Sequence, residues 1–281
     1  MDHNETRGGG NFYSRRKEVL KSLKKYKGYL VDLDGTMYRG NERIEAAAEF
    51  IEEINAQHIP YLFLTNNSTS TQSEVAEKLN QMDIKATADH VFTSSLATAK
   101  YIKEKQEQAR CFVIGERGLS DALADEGHVL IDSEEKCDFV VMGLDRQITY
   151  EKLATACLAI RNGATFISTN GDAAIPTERG FLPGNGSLTS VVHVSTGKQP
   201  IFIGKPEAII MDQALHTLGV NKADTIMVGD NYDTDILAGI RAQIDTLLVF
   251  TGVTSYEEYI QIKKKPTHHV QKLSEWILNG S

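Results

Sequence analysis

Apolar and polar positions follow one another at two spacings along most of this chain, and the spacing switches from stretch to stretch. In "GYLVDLDG" (28–35), "IPYLFLTNNS" (59–68), "PIFIGKP" (200–206), "DTIMVGDN" (224–231) and "DTLLVFTG" (245–252), apolar residues run together and then stop at a polar or glycine-rich turn. Such short unbroken runs are the pattern of strands buried on both faces. Between them, apolar residues recur every three or four positions. Phe50, Ile51 and Ile54 give "IEAAAEFIEEINAQH" one apolar face, and "STQSEVAEKLNQM" predicts a second helix with Ser73 as its N-cap. "EAIIMDQALHTLG" and "DTDILAGIRAQ" continue the alternation late in the chain. A middle block has its own: "CFVIGE", "CDFVVMGL", the helical "TYEKLATACLAIRNG" and "TFISTN", then the turn-rich "GDAAIPTERGFLPGNGS". Strand–helix alternation predicts an α/β fold, a Rossmann-like doubly wound parallel sheet with helices on both faces.

In an open parallel sheet, ligands bind beyond the carboxyl ends of the strands. Three of the apolar runs end there in polar residues: "YLVD" in Asp32, "YLFLT" in Thr65 and "IMVGD" in Asp230. Asp34 follows Asp32 by two residues, so an extended backbone points both carboxylates the same way, and Gly35 permits a sharp turn after them. Carboxylates are costly to bury unless paired or bound, and two or three of them with a carbonyl and waters make the oxygen shell that Mg²⁺ prefers. Thr65 and Asn66 offer a hydroxyl and backbone N–H groups at an expected helix entrance, a cradle for an anion. Lys205, in "IGKP", adds a positive charge. Together these groups suit a phosphoryl group and the charge on its equatorial oxygens. Asp32 is placed to attack phosphorus and form an aspartyl-phosphate; Asp34 is placed to protonate the leaving oxygen and later activate water.

Composition narrows the partners. The net charge of −8 argues against general nucleic-acid binding but leaves room for a small anion in a local basic pocket. No apolar run approaches the length of a membrane span, and the polar, glycine-rich start carries no signal-peptide pattern. The 3 cysteines, Cys111, Cys137 and Cys157, are odd in number and widely spaced, which suits a reducing cytoplasm better than a disulfide framework or zinc site.

"DLDGT", "LTNNS", "GKP" and "GDNYDTDI", in that order, resemble the four motifs of the haloacid dehalogenase superfamily, specifically its NagD-like branch with nitrophenyl, sugar and pyridoxal phosphatases. The resemblance spans about residues 26 to 281. It implies a catalytic core over 26–107 and 199–281 and an inserted α/β cap of the C2 type over 108–198, after a flexible basic extension at 1–25. It implies Asp32 as nucleophile and metal ligand, and Asp34 as general acid/base giving its carbonyl to Mg²⁺. Thr65, Asn66 and Lys205 would position the phosphoryl group; Asp230 would bind the metal, with Asp235 in or just behind its shell. In the cap, "STNGD" and "PTERG" are expected over the leaving group, through Asn170, Asp172 and Arg179.

The function expected is that of a Mg²⁺-dependent phosphatase of sugar phosphates, acid-sugar phosphates or nucleoside monophosphates, with no nucleic-acid or membrane partner and with a homo-oligomer left open. Two alternatives stay in view. A phosphotransferase or mutase would pass the phosphoryl group to a hydroxyl, and a phosphate-ligand-binding regulator would keep the site without turnover. The remaining candidates are weaker: His268 and His269 lack a third ligand nearby in sequence, "GNGSLTS" is not a clean nucleophile elbow, and Trp276 in "LSEWIL" reads as a packing residue of a C-terminal helix.

Overall fold

The computed structural model describes residues 24–177 and 179–276, so the expected extension lies almost wholly outside the described residues. In chain order the strands are β1 (Gly28–Val31), β2 (Tyr38–Arg39), β3 (Glu42–Arg43), β4 (Tyr61–Thr65), β5 (Val91–Thr93), β6 (Arg110–Ile114), β7 (Val129–Ile131), β8 (Phe139–Met142), β9 (Thr165–Ser168), β10 (Ala174–Thr177), β11 (Gly180–Pro183), β12 (Ile201–Phe202), β13 (Thr225–Gly229), β14 (Asp245–Val249) and β15 (His268–Val270).

Six of them form one parallel sheet in the order β15-β14-β13-β1-β4-β5. The apolar runs sit at its centre because both faces are covered. Alternate residues of β1 divide between two cores: Tyr29 and Val31 pack with Phe50, Ile51, Ile54, Phe63 and Leu79, whereas Leu30 packs with Leu62, Phe92, Ile210 and Met211. The first core lies under the helices Ala47–Ala56 and Gln72–Gln81, the second under Ser94–Lys105 and Ala208–Leu218. Each large side chain so buried contributes about 2–3 kcal/mol.

A second parallel sheet, β12-β9-β8-β6-β7, is built from the middle of the chain and carries the helices Tyr150–Arg161 and Asn185–Thr196 on one face. Its other face belongs to the same apolar cluster as the first sheet, through Cys111, Phe139 and Ile167. Ile201–Phe202, expected on the core side of the boundary at 198/199, pairs with β9 as an edge of this second sheet. Two short antiparallel hairpins, β2–β3 and β10–β11, complete the strands. No helix among the described residues is long and apolar enough to cross a membrane.

Local details depart from the sequence-based expectations. Thr71, not Ser73, caps the helix Gln72–Gln81: its side chain accepts from the Glu74 N–H, while Glu74 Oε2 accepts from the Thr71 N–H, a complete capping box. Ser73 lies one residue inside the helix. Leu273–Glu275 form a single 3₁₀ turn in place of the expected start of a C-terminal helix, because Trp276 leaves it in extended conformation to pack beside Tyr26 and His268.

Candidate active site

β1 lies between β13 and β4, so the residues that follow these three strands share one crevice. The backbone leaves the sheet at Val31 and winds into a tight turn. The Leu33 carbonyl accepts from the N–H groups of Thr36 and Met37, and the Gly35 N–H donates to the Tyr38 carbonyl. Gly35 sits at φ 91°, a left-handed conformation in which a Cβ would also overlap the Asp230 carboxylate. After Val31 the backbone turns rather than running on as the one extended strand expected through Asp32 and Asp34. Asp32 is buried at 8% exposure, and Asp34 is exposed.

Asp32, Asp230 and Asp235 bring carboxylate oxygens within 4.8 Å of one another, all three buried. Lys205 Nζ lies among them, 2.5 Å from Asp32 Oδ1 and 2.7 Å from Asp235 Oδ1. Thr36 Oγ1 donates toward Asp230 Oδ1 at 3.1 Å and Asp32 Oδ2 at 3.4 Å, and the Val253 N–H donates to Asp230 Oδ2 at 2.6 Å. Asp235 is saturated differently: Oδ1 accepts from Lys205 and Thr234, and Oδ2 from the Asn231 N–H.

Three buried carboxylates facing one ammonium leave two negative charges in excess. The electrostatics show the strain. Burial and then the Asp235 charge raise the Asp32 carboxyl well above its ordinary range, with Lys205 opposing them. Burial and Asp235 push Asp230 up to about 6. Burial pulls Lys205 down, yet Asp235 and Asp32 outweigh it and the ammonium is held above its usual value. A hard divalent cation among these oxygens supplies the missing positive charge, so the donor set fits one.

Thr65 closes β4, but no helix begins there: a loop runs to Thr71 before the helix starts at Gln72. Thr65 Oγ1 accepts from the Asn67 N–H at 3.1 Å. Asn66 grips the backbone of Lys205 at two points, accepting from its N–H at 2.8 Å and donating to its carbonyl at 2.9 Å. The peptide bond between Lys205 and Pro206 is cis.

The residues expected over the leaving group lie at the joint between the two sheets and in the β10–β11 hairpin. Asn170 is buried, donates to the Asn66 carbonyl at 2.9 Å and accepts from the Asp172 N–H at 3.1 Å. Asp172 accepts from Asn66 Nδ2 at 3.2 and 3.3 Å. Both stitch the second sheet to the loop after β4. Arg179 lies exposed in the turn of the β10–β11 hairpin, where its side chain has no hydrogen-bond or ion-pair partner among the described residues.

Comparison with known proteins places this arrangement. A family model described as haloacid dehalogenase-like hydrolase matches residues 29–128, and a second, HAD-hydrolase-like, matches residues 202–276. The chain is 59% identical over 255 residues to the 5'-nucleotidase YutF of Bacillus subtilis, covering 91% of this chain and 99% of that protein. The chain belongs to the haloacid dehalogenase-like hydrolase family. It is 58% identical to an acid sugar phosphatase of Staphylococcus saprophyticus, over 91% of this chain and 98% of that one. The crystal structure of a double-mutant thermostable NPPase from Geobacillus stearothermophilus superposes with a TM-score of 0.86 at 57% identity, covering 91% and 100% of the two chains. As a member of this family with such relatives, the protein is a phosphoric monoester hydrolase.

Sequence reasoning missed several parts of this hydrolase's site. Asn66 was read for its amide near a phosphate, and its clasp on Lys205 has no local signature. The loop after β14 supplies the Val253 N–H to Asp230, and at Gly252 a Cβ would overlap the same carboxylate. The "FTG" that ends the last long apolar run was the available signal.

Proposed function

We propose that the protein hydrolyses small phosphomonoesters through an aspartyl-phosphate on Asp32, with Mg²⁺ as cofactor. The observation that carries this reading is the convergence of three buried carboxylates and one buried lysine at the carboxyl ends of β1 and β13. Asp32 and Asp230 would hold the metal through carboxylate oxygens and Asp34 through its backbone carbonyl. Asp235 would stand in or just behind the metal's shell, with one oxygen accepting from Lys205 and Thr234 and the other from the Asn231 N–H. When bound, Mg²⁺ supplies positive charge to the phosphoryl oxygens and screens the nucleophile from the group it attacks.

Asp32 is the nucleophile: it follows the central strand, buried and oriented by Lys205 and Thr36. Lys205, held from both sides by Asn66, and the Thr65 hydroxyl bind the phosphoryl oxygens. Asp34, exposed on the turn after β1, gives its proton to the leaving oxygen and then takes one from water. The relatives' names point to nucleoside monophosphates and acid-sugar phosphates as the substrate classes to try first.

The test is phosphate release from a panel of sugar phosphates, acid-sugar phosphates, nucleotides and para-nitrophenyl phosphate, with Mg²⁺ or with chelator. Asp32→Asn should lower kcat by at least about a thousandfold, the scale on which nucleophiles act. Turnover that survives this substitution, or that ignores chelation, would refute the mechanism.

A further inference from the structure

A cavity of about 540 Å³ opens between the loop and helix that follow β4 and the loops of the second sheet, with Tyr38 and Lys78 in its wall. Its other cations are engaged. Arg117 pairs with Glu74 at 2.5 Å and Asp121 at 3.4 Å, and Arg146 meets both oxygens of Glu116 at 2.9 Å. Lys78 is different. Among the described residues its ammonium makes no hydrogen bond and no ion pair, and it rests 4.0 Å from the centroid of the Tyr38 ring. The ring is itself held by the turn that carries Asp34, through the Gly35–Tyr38 hydrogen bond. Tyr38 is 7% exposed, and its hydroxyl has no hydrogen-bond partner among the described residues. The Tyr38 backbone is bridged to that of Asp34, which joins the cavity wall to the turn after β1, and burial, then the charges of Asp34 and Asp32, push the Tyr38 hydroxyl up, while Lys78 acts on the Asp34 carboxyl.

We propose that this cavity receives the leaving group and that Lys78 selects phosphomonoesters whose leaving group carries a carboxylate, with the Tyr38 hydroxyl bonding the leaving group's neighbouring hydroxyls. The inference rests on the proposed function in one respect, that Asp34 faces the bridging oxygen. Whatever lies beyond that oxygen then meets the cavity wall next to Asp34. One ammonium in no contact ion pair among the described residues, steadied over an aromatic face with Asp34 the nearest anion to act on it, can still take one carboxylate. A nucleoside or neutral sugar leaving group offers it no charge. Of the two substrate classes named by the relatives, the acid-sugar phosphates are therefore the better match.

The experiment compares 6-phosphogluconate with sorbitol 6-phosphate, which differ in one terminal group, carboxylate against hydroxymethyl. The wild type should favour 6-phosphogluconate in kcat/KM. Lys78→Met should lower the ratio of the two kcat/KM values at least tenfold, chiefly through the KM of the acid, and Lys78→Arg should restore part of it. An equal fall for both esters would mean that Lys78 works through Asp34, and an unchanged ratio would mean that it meets no substrate anion; either overturns the inference. Para-nitrophenyl phosphate separates the two levels. If the wild type hydrolyses it but neither six-carbon ester, the inference alone fails. If no ester is hydrolysed, the phosphatase mechanism fails and takes the inference with it.

Discussion

Asp230 shows what a buried carboxylate costs before a cation arrives. Burial and the Asp235 charge raise it to about 6, against an ordinary value near 4. A raised carboxyl in the folded state means that ionisation opposes folding. In metal-free protein the stability that Asp230 contributes is therefore fully present below about pH 4 and is lost as pH rises through about 6. Asp230→Asn removes that penalty while keeping the geometry, since its amide oxygen can accept from the Val253 N–H and its NH₂ can donate to the Thr36 hydroxyl. In chelator at pH 7.5 the variant should melt above the wild type, with the difference fading as pH drops toward 4, while its Mg²⁺-supported turnover is lost. A variant that melts below the wild type throughout would show that Asp230 is stabilised by its donors rather than strained by its neighbour. Asp32, Thr65 and Asp230 were legible one at a time because each ends an apolar run. The clasp of Asn66 on Lys205 was not, since it joins positions 139 residues apart.

Among elements, the helix Gln72–Gln81 has the most to decide, because it follows the loop after β4 and carries Lys78 into the cavity wall. Its first turn depends on the reciprocal pair Thr71 and Glu74. Thr71→Ala should cost about 1 kcal/mol in thermal or denaturant unfolding, whereas Ser73→Ala should stay within about 0.5 kcal/mol. A larger loss at Ser73 than at Thr71 would return the cap to the position expected from sequence. That expectation placed the cap two residues late. Thr71, Gln72 and Ser73 are polar in succession, and only the Glu74 carboxylate reaching back selects Thr71. The strands were read more securely, because their apolar runs are continuous and a run buried on both faces has few alternatives.

For the whole molecule, the seam between the two sheets is packed closely enough to set the shape of the cavity. Gly118, in the helix Arg117–Asp125, donates its N–H to the Thr69 carbonyl at 3.0 Å, and a Cβ there would strike the backbone of Ser70. Gly118→Ala should cost about 1–3 kcal/mol as the seam is forced apart, and should raise KM for every ester. An unchanged melting temperature and KM would show that the seam yields freely. The Arg117–Glu74 pair across the same seam is exposed and adds little by comparison.

The order of apolar runs and amphipathic stretches was enough to determine an α/β fold with a parallel sheet, and the residues ending those runs included Asp32, Asp230 and Lys205, which the structure brings together. Both follow from local rules: burial dictates the run, and the run's end faces the crevice. What only the tertiary structure decided lies in the turns and contacts. The tight turn after Val31 separates the surroundings of Asp32 and Asp34, Asp172 and Asn170 serve the seam, and Ile201–Phe202 join the second sheet. Lys78 was an ordinary helical lysine until the fold brought it over Tyr38 and within reach of the Asp34 charge. Such placements depend on pairs far apart in the chain, and no spacing along the sequence encodes the distance between them.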